Sequence, residues 1–266
     1  MTRPRQPTNR RTSHHPIEIV AHGGAGTDHP NNSRPAMETA LTLGVDRLEC
    51  DVQRAADGTL VLVHDAAVPL PTGGTRPVSS LTEGELRDLF PDLLTLDELA
   101  EMCAGRAPLM IDVKRPGYEP ELIAAIRRHH LAAASSVSCT YASTLGRIRH
   151  AFPTMRLGLS TGHWATSVPS PPGRAVARWT LRLLLPLPLL VAVRVVGATE
   201  VMLQHRVATA PLVALLHASG RRVNLWTVDR PNSIRRAIAL NVDAIISNRP
   251  DLVRHLIAES TRDYPT

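Results

Sequence analysis

Lysine is nearly missing from this chain: Lys114 stands alone among 30 basic residues, and all the others are arginine. Aromatic residues are scarce at 3%, so alanine, valine and leucine must fill whatever core the 43% hydrophobic content builds. No run of basic residues interleaved with aromatics occurs, and no binding module is recognisable, so a nucleic-acid partner is not expected. No uninterrupted apolar stretch is long enough to span a bilayer. The first sixteen residues are polar, basic and proline-rich, without the apolar stretch of a signal peptide; residues 1–16 read as a disordered basic arm. The three cysteines, Cys50, Cys103 and Cys139, have neither metal-type nor redox spacing and read as reduced thiols of a cytoplasmic protein.

The net charge of +6 favours anionic partners, such as phosphates or acidic lipid surfaces, although a compositional bias toward arginine would produce the same excess. At 266 residues the chain has the length of one α/β barrel, which takes about 250. Short apolar runs alternate with helix-like stretches from Ile17 onward, the rhythm of a parallel sheet with crossover helices. Strands are expected at 17–22, 46–52, 108–114, 136–141, 156–160, 200–205, 222–228 and 243–248. Eight strands are what a closed TIM-like (β/α)₈ barrel needs, here over residues 17–258. Thr82 with Glu85, and Thr95 with Glu98, have capping-box spacing ahead of apolar periodic runs. Residues 119–131 and 230–240 also read as helices.

LVLVHD (60–65) breaks the alternation. It follows the second strand through Ala56-Asp57-Gly58 and reads as an antiparallel return strand, a β-hairpin insertion after the second barrel strand. If Asp57 and Gly58 are the two loop residues, paired positions sum to 115 and Asp51 lies opposite His64; a longer loop would shift this register. Residues 181–196 are strongly apolar but contain two prolines. They fit a barrel helix packed on the core or, alternatively, a segment dipping into a membrane surface with Arg182 and Arg194 at the headgroups.

Glu49 and Asp51 lie two apart on a strand, so both carboxylates share one face and Cys50 takes the other. Such a pair is neutralised by a cation or proton, or is solvated at the strand's end. Asp112 and Lys114 repeat the spacing on MIDVK; a lysine ending a buried strand needs an anionic partner, and a purely structural network would also provide one. His22 ends the first strand, at the end where such barrels place their active sites, and is followed by Gly23 and Gly24. His64 ends LVLVH. Two imidazoles can act as general acid and general base, though a lone histidine at a strand end is more often structural.

The ordered set IVAHGG, GVDRLECDVQRAADGTLVLVHD, MIDVK, WTVD and GVDAIISNRPD resembles the glycerophosphodiester phosphodiesterase family over about residues 17–115 and 200–252. The resemblance implies hydrolysis of glycerophosphodiesters to glycerol 3-phosphate and an alcohol, with one divalent ion, Mg²⁺ or Ca²⁺. Glu49 and Asp51 match metal ligands, and Asp112 stands at a third, normally Glu. His22 and His64 match the acid/base pair, and Lys114 a residue near the phosphate. Gly23 falls in the substrate loop, and Trp226 suits an apolar wall against the glycerol, though a strand tryptophan is more often core. In the family's mechanism the glycerol hydroxyl beside the phosphate attacks phosphorus and expels the alcohol, and water then opens the cyclic phosphate.

Several positions depart from the family pattern. Gly23 replaces an arginine that contacts phosphate, and Pro30-Asn31-Asn32-Ser33 replaces Pro-Glu-Asn-Thr. Asp112 replaces the Glu of Glu-x-Lys, Asp229 the Asn of Trp-Thr-Val-Asn, and Ser247-Asn248 a Thr-Asp. Arg34, Arg47 and Arg115 are candidates to supply the missing guanidinium. Two further readings stay open: a lysophospholipase D-type hydrolase docking peripherally on a membrane through 181–196, and a barrel that binds phosphodiesters without turnover.

Overall fold

The computed structural model describes residues 16–161 and 186–262. The N-terminal arm, all but its last residue, and residues 181–185 of the apolar segment lie outside the described residues. Eight parallel strands close on themselves: β1 (Glu18–Ala21), β2 (Arg47–Arg54), β6 (Leu109–Val113), β7 (Ser136–Cys139), β8 (Arg156–Ser160), β9 (Glu200–Gln204), β10 (Arg222–Trp226) and β11 (Ala244–Ser247). The ring shuts where β1 pairs with both β11 and β2. This is the expected (β/α)₈ barrel, and helices stand between its strands. The last helix, Pro250–Arg262, runs a turn beyond the expected end of the barrel.

The insertion after β2 holds β3 (Leu60–Leu62), antiparallel to β2, and a small hairpin of β4 (Ala67–Pro69) and β5 (Thr75–Pro77). The register differs from the two-residue-loop expectation. Val52 pairs with Leu62 and Arg54 with Leu60, so paired positions sum to one less. The cause is the loop: Ala55 N–H donates to Thr59 O at 2.8 Å, leaving Ala56, Asp57 and Gly58 between them. Gly58 takes φ +91°, a conformation glycine adopts without penalty. Val63, not His64, therefore bonds opposite Asp51.

Both expected capping boxes form, with Thr82 and Glu85 on the helix Glu83–Leu89, and Thr95 and Glu98 on the helix Leu96–Cys103. Residues 186–196 form a helix that buries Leu189, Leu190, Val193 and Val196 against the barrel. Among the described residues, no helix is long and apolar enough to cross a membrane.

Leucine, valine, isoleucine and alanine dominate the layer between strands and helices, as the aromatic scarcity requires. Inside the barrel, Val20, Met110, Met202, Ala244 and Ile246 pack together beneath Trp226. Met202 fits because Gly158 faces it: a Cβ there would lie 2.4 Å from Met202 Cε. The N-terminal end of the barrel is closed by charge. Arg47, only 1% exposed, reaches Glu18 at 2.6 Å and the fully buried Glu200 at 3.2 Å, with Arg156 and Arg222 on the same two carboxylates.

Candidate active site

The opposite, C-terminal end of the barrel opens into a cavity of about 190 Å³. His22, Glu49, Asp51, His64, Asp112, Lys114 and Trp226 all line it. Residues from sequence positions more than 200 apart thus meet at the face where barrels of this kind carry their chemistry.

Glu49 and Asp51 reach the cavity from β2 because strand side chains alternate, and Cys50 points into the core instead. The β2–β6 register sets Asp51 directly beside Asp112. Glu49, Asp51 and Asp112 bring one oxygen each to within 4.8 Å of one another. Lys114 bridges two of them, its Nζ 2.8 Å from Asp51 Oδ1 and 3.0 Å from Asp112 Oδ2. This supplies the anionic partner the buried-strand lysine requires, and the attraction outweighs its burial and holds the ammonium protonated.

Three carboxylates against one ammonium leave a net negative charge in a site where Glu49 and Asp51 are buried. The imbalance falls on Glu49: burial, then the charges of Asp51 and Asp112, push its carboxyl well above the ordinary range. Burial also pushes Asp51 up, but Lys114, His22 and His64 outweigh it and hold that carboxyl below its usual range. A carboxylate that must either take up a proton or find a cation, with two more oxygens beside it, fits a hard divalent ion.

Polar neighbours absent from the sequence-derived site hold these groups. Asn32, at φ +66°, donates to Asp51 Oδ2 at 2.7 Å and accepts from Asp51 N at 3.0 Å. Ser138 donates to Asp112 Oδ1 at 2.9 Å. His64 Nδ1 lies 2.8 Å from Asp65 Oδ1. His22 Nδ1 lies 3.0 Å from Asn248 Oδ1, and Asn248 Nδ2 donates to Asp229 Oδ2 at 2.8 Å. The only sequence signal for Asn31, Asn32, Asp229 and Asn248 was that they stand inside the motifs.

Gly23 does not line the cavity; its N–H donates to Glu49 Oε2 at 2.8 Å, beneath the acid cluster. None of the three candidate replacement arginines lines it either. Arg34 pairs with Glu98 at 3.1 Å, and Arg47 is committed to the other end of the barrel. Trp226 both packs on the interior cluster and forms part of the cavity wall with Met110, Met202 and Ile246.

An α/β barrel with an acidic cluster, a lysine and two histidines at its C-terminal mouth has the make-up of an enzyme active site. The model of the glycerophosphoryl diester phosphodiesterase family matches residues 22–252. The chain belongs to this family and is a phosphoric diester hydrolase. It is 26% identical to the glycerophosphodiester phosphodiesterase of Caldanaerobacter subterraneus, with 90% of this chain and 97% of that protein covered. It is 31% identical to a Mycobacterium tuberculosis protein named "Probable glycerophosphodiester phosphodiesterase 1", over 83% of this chain and 84% of that one. The fold is similar to that of an Oleispira antarctica phosphodiesterase solved with the product sn-glycerol-3-phosphate, with TM-score 0.72, 18% identity and coverage of 91% and 96%.

Proposed function

We propose that this protein hydrolyses glycerophosphodiesters to glycerol 3-phosphate and an alcohol, in a reaction that depends on one divalent metal ion, Mg²⁺ or Ca²⁺. The observation that carries the proposal is the convergence of Glu49, Asp51 and Asp112 within 4.8 Å in the same cavity as His22 and His64. Glu49, Asp51 and Asp112 hold the ion, which when bound supplies Lewis-acid polarisation of the phosphoryl oxygens. Lys114 holds the phosphate's negative charge while it steadies Asp51 and Asp112.

His22 and His64 divide the proton work. One imidazole takes the proton of the attacking hydroxyl and the other protonates the departing alcohol oxygen. The roles reverse when water opens the cyclic phosphate. Asp65 steadies His64, and Trp226 offers the glycerol an apolar wall. The glycerol 3-phosphate seen with the Oleispira antarctica relative supports the product assignment. The three free, buried cysteines suit a reducing, cytoplasmic setting.

The test is release of glycerol 3-phosphate from a panel of glycerophosphodiesters with Mg²⁺, Ca²⁺ or EDTA. Release that needs metal and disappears in His22→Ala and His64→Ala is expected. Release that persists in EDTA overturns the metal dependence, and activity retained in either histidine variant overturns the two-histidine scheme.

A second reading rests on the helix Pro186–Val196. The three most exposed large apolar side chains among the described residues are Leu187 (75%), Val191 (61%) and Val195 (81%), at helical spacing along one face. Such a stripe suits peripheral contact with a lipid surface and access to lysolipid substrates.

A further inference from the structure

We infer that Asp229, acting through the side chain of Asn248, fixes which ring nitrogen of His22 carries the proton. The inference rests on His22 serving as one of the two proton-transfer groups, and it adds two positioning residues to that reading.

Hydrogen-bonding capacity orders these side chains. Asp229 lies just past β10 and Asn248 just past β11. Asp229 Oδ1 accepts from Ser247 Oγ at 3.0 Å and from the Asn248 backbone N–H at 2.9 Å. Asp229 Oδ2 faces the Asn248 side chain at 2.8 Å. A carboxylate only accepts, so the Asn248 amide must turn its NH₂ toward Asp229; the opposite orientation would set two acceptors against each other. The amide oxygen of Asn248 then faces the other way, where it meets His22 Nδ1 at 3.0 Å and Asn31 Nδ2 at 2.8 Å.

An amide oxygen also only accepts. His22 Nδ1 must therefore be the donor, and the neutral ring carries its proton on Nδ1 and its lone pair on Nε2. Asn31 Nδ2 donates to the same Asn248 oxygen and lies 3.1 Å from His22 Nδ1; a ring protonated on Nε2 would accept from Asn31 there but set its lone pair against the Asn248 oxygen 3.0 Å away, so the contact with Asn248 decides the tautomer. His22 lines the cavity, and with Nδ1 tied to Asn248 the ring offers Nε2 as its basic atom. Asp229 thus sets an amide, and the amide sets a tautomer, across 226 residues of sequence between His22 and Asn248. Asp229 and Asn248 can trade places without breaking this order. Exchanging them preserves the polarity of every bond: an amide at 229 accepts from Ser247 Oγ and the 248 backbone and donates to a carboxylate at 248, which accepts from His22.

The experiment combines ¹⁵N-histidine NMR of the full chain with steady-state kinetics on glycerophosphodiesters, the His22 signals being assigned by difference from His22→Gln. The native protein is expected to show neutral His22 protonated on Nδ1. Asp229→Asn, which frees the amide to turn, is expected to mix the tautomers and lower kcat about 100-fold, with KM changed less than about 3-fold. The double exchange Asp229→Asn with Asn248→Asp is expected to restore the Nδ1-protonated ring and return kcat to within about 5-fold of native. Native His22 protonated on Nε2 overturns the inference, as does an unchanged His22 spectrum in Asp229→Asn. A double exchange as impaired as the single variant overturns it too. If no diester is hydrolysed by any variant, the proposed function fails, while the NMR arm still decides the tautomer.

Discussion

The backbone N–H of Gly23 and the carboxylate of Glu49 are joined by a 2.8 Å hydrogen bond, so the loop after the first histidine anchors the acid cluster. Gly23 sits at φ +57°, and a Cβ there would lie 2.7 Å from Asn31 Cβ. The position is therefore closed to a side chain as long as Asn31 stays where it is. Gly23→Arg is expected to lower the melting temperature, through about 1–2 kcal/mol of backbone strain, and to reduce kcat/KM at least about 10-fold. Adding Asn31→Gly should recover part of the loss. Native or better activity in Gly23→Arg, with unchanged melting, would show that the loop accommodates arginine freely.

Glu49 makes stability depend on pH in a way that a bound cation removes. Its folded-state pKa is raised by burial and then by Asp51 and Asp112, so the folded protein binds more protons than the unfolded chain. Ion-free protein should therefore grow more stable as pH falls from neutral toward the ordinary carboxylate range. Below that, the lowered pKa of Asp51 reverses the trend, since its contribution is lost as pH falls through its folded value. Thermal melts in EDTA from about pH 8 to about pH 5 should show the rise, and saturating Mg²⁺ or Ca²⁺ should flatten it. Glu49→Gln should stabilise the ion-free protein by about 1–2 kcal/mol and abolish the metal-induced gain. A metal-induced gain that survives the substitution would argue against Glu49 as a ligand.

Arg47 tests the far end of the barrel. Its removal leaves the buried Glu200 with the Asn224 amide at 3.0 Å and the longer contacts from Arg156 and Arg222, with no close cation. Arg47→Met is expected to cost about 3 kcal/mol, read by urea denaturation, while KM for any diester stays unchanged because the substitution lies at the end opposite the cavity. A shift in KM without loss of stability would contradict this division of the barrel.

The helix Pro186–Val196 gives a separate prediction. Replacing Leu187, Val191 and Val195 with serine should reduce co-sedimentation with anionic phospholipid vesicles at least about 10-fold and spare hydrolysis of soluble diesters. Equal vesicle binding by the native and triple-serine proteins would remove the membrane reading.

Much of the fold is legible in the sequence, because it depends on neighbours along the chain. Period two assigned Glu49 and Asp51 to one face and Cys50 to the other. Thr82 and Thr95 announced their helix starts through a glutamate three residues on. The β2–β3 register was not legible, since one residue more in the loop moves every pair, and the hydrogen bond from Ala55 to Thr59 settles that count.

What the sequence alone determined was the inventory: eight apolar strand segments, their order, and the carboxylates, histidines and lysine near strand ends. Only the tertiary structure decided which of these meet. Closure of the barrel sets Asp112 beside Asp51, ties Gly23 to Glu49, and carries Arg47 away from the cavity to the opposite end. It also brings Asn248 to His22 and puts Asp229 behind it. Local periodicity says which way a side chain points from its own strand. The partner across the barrel is fixed by inter-strand register and ring closure, which no stretch of neighbouring residues encodes.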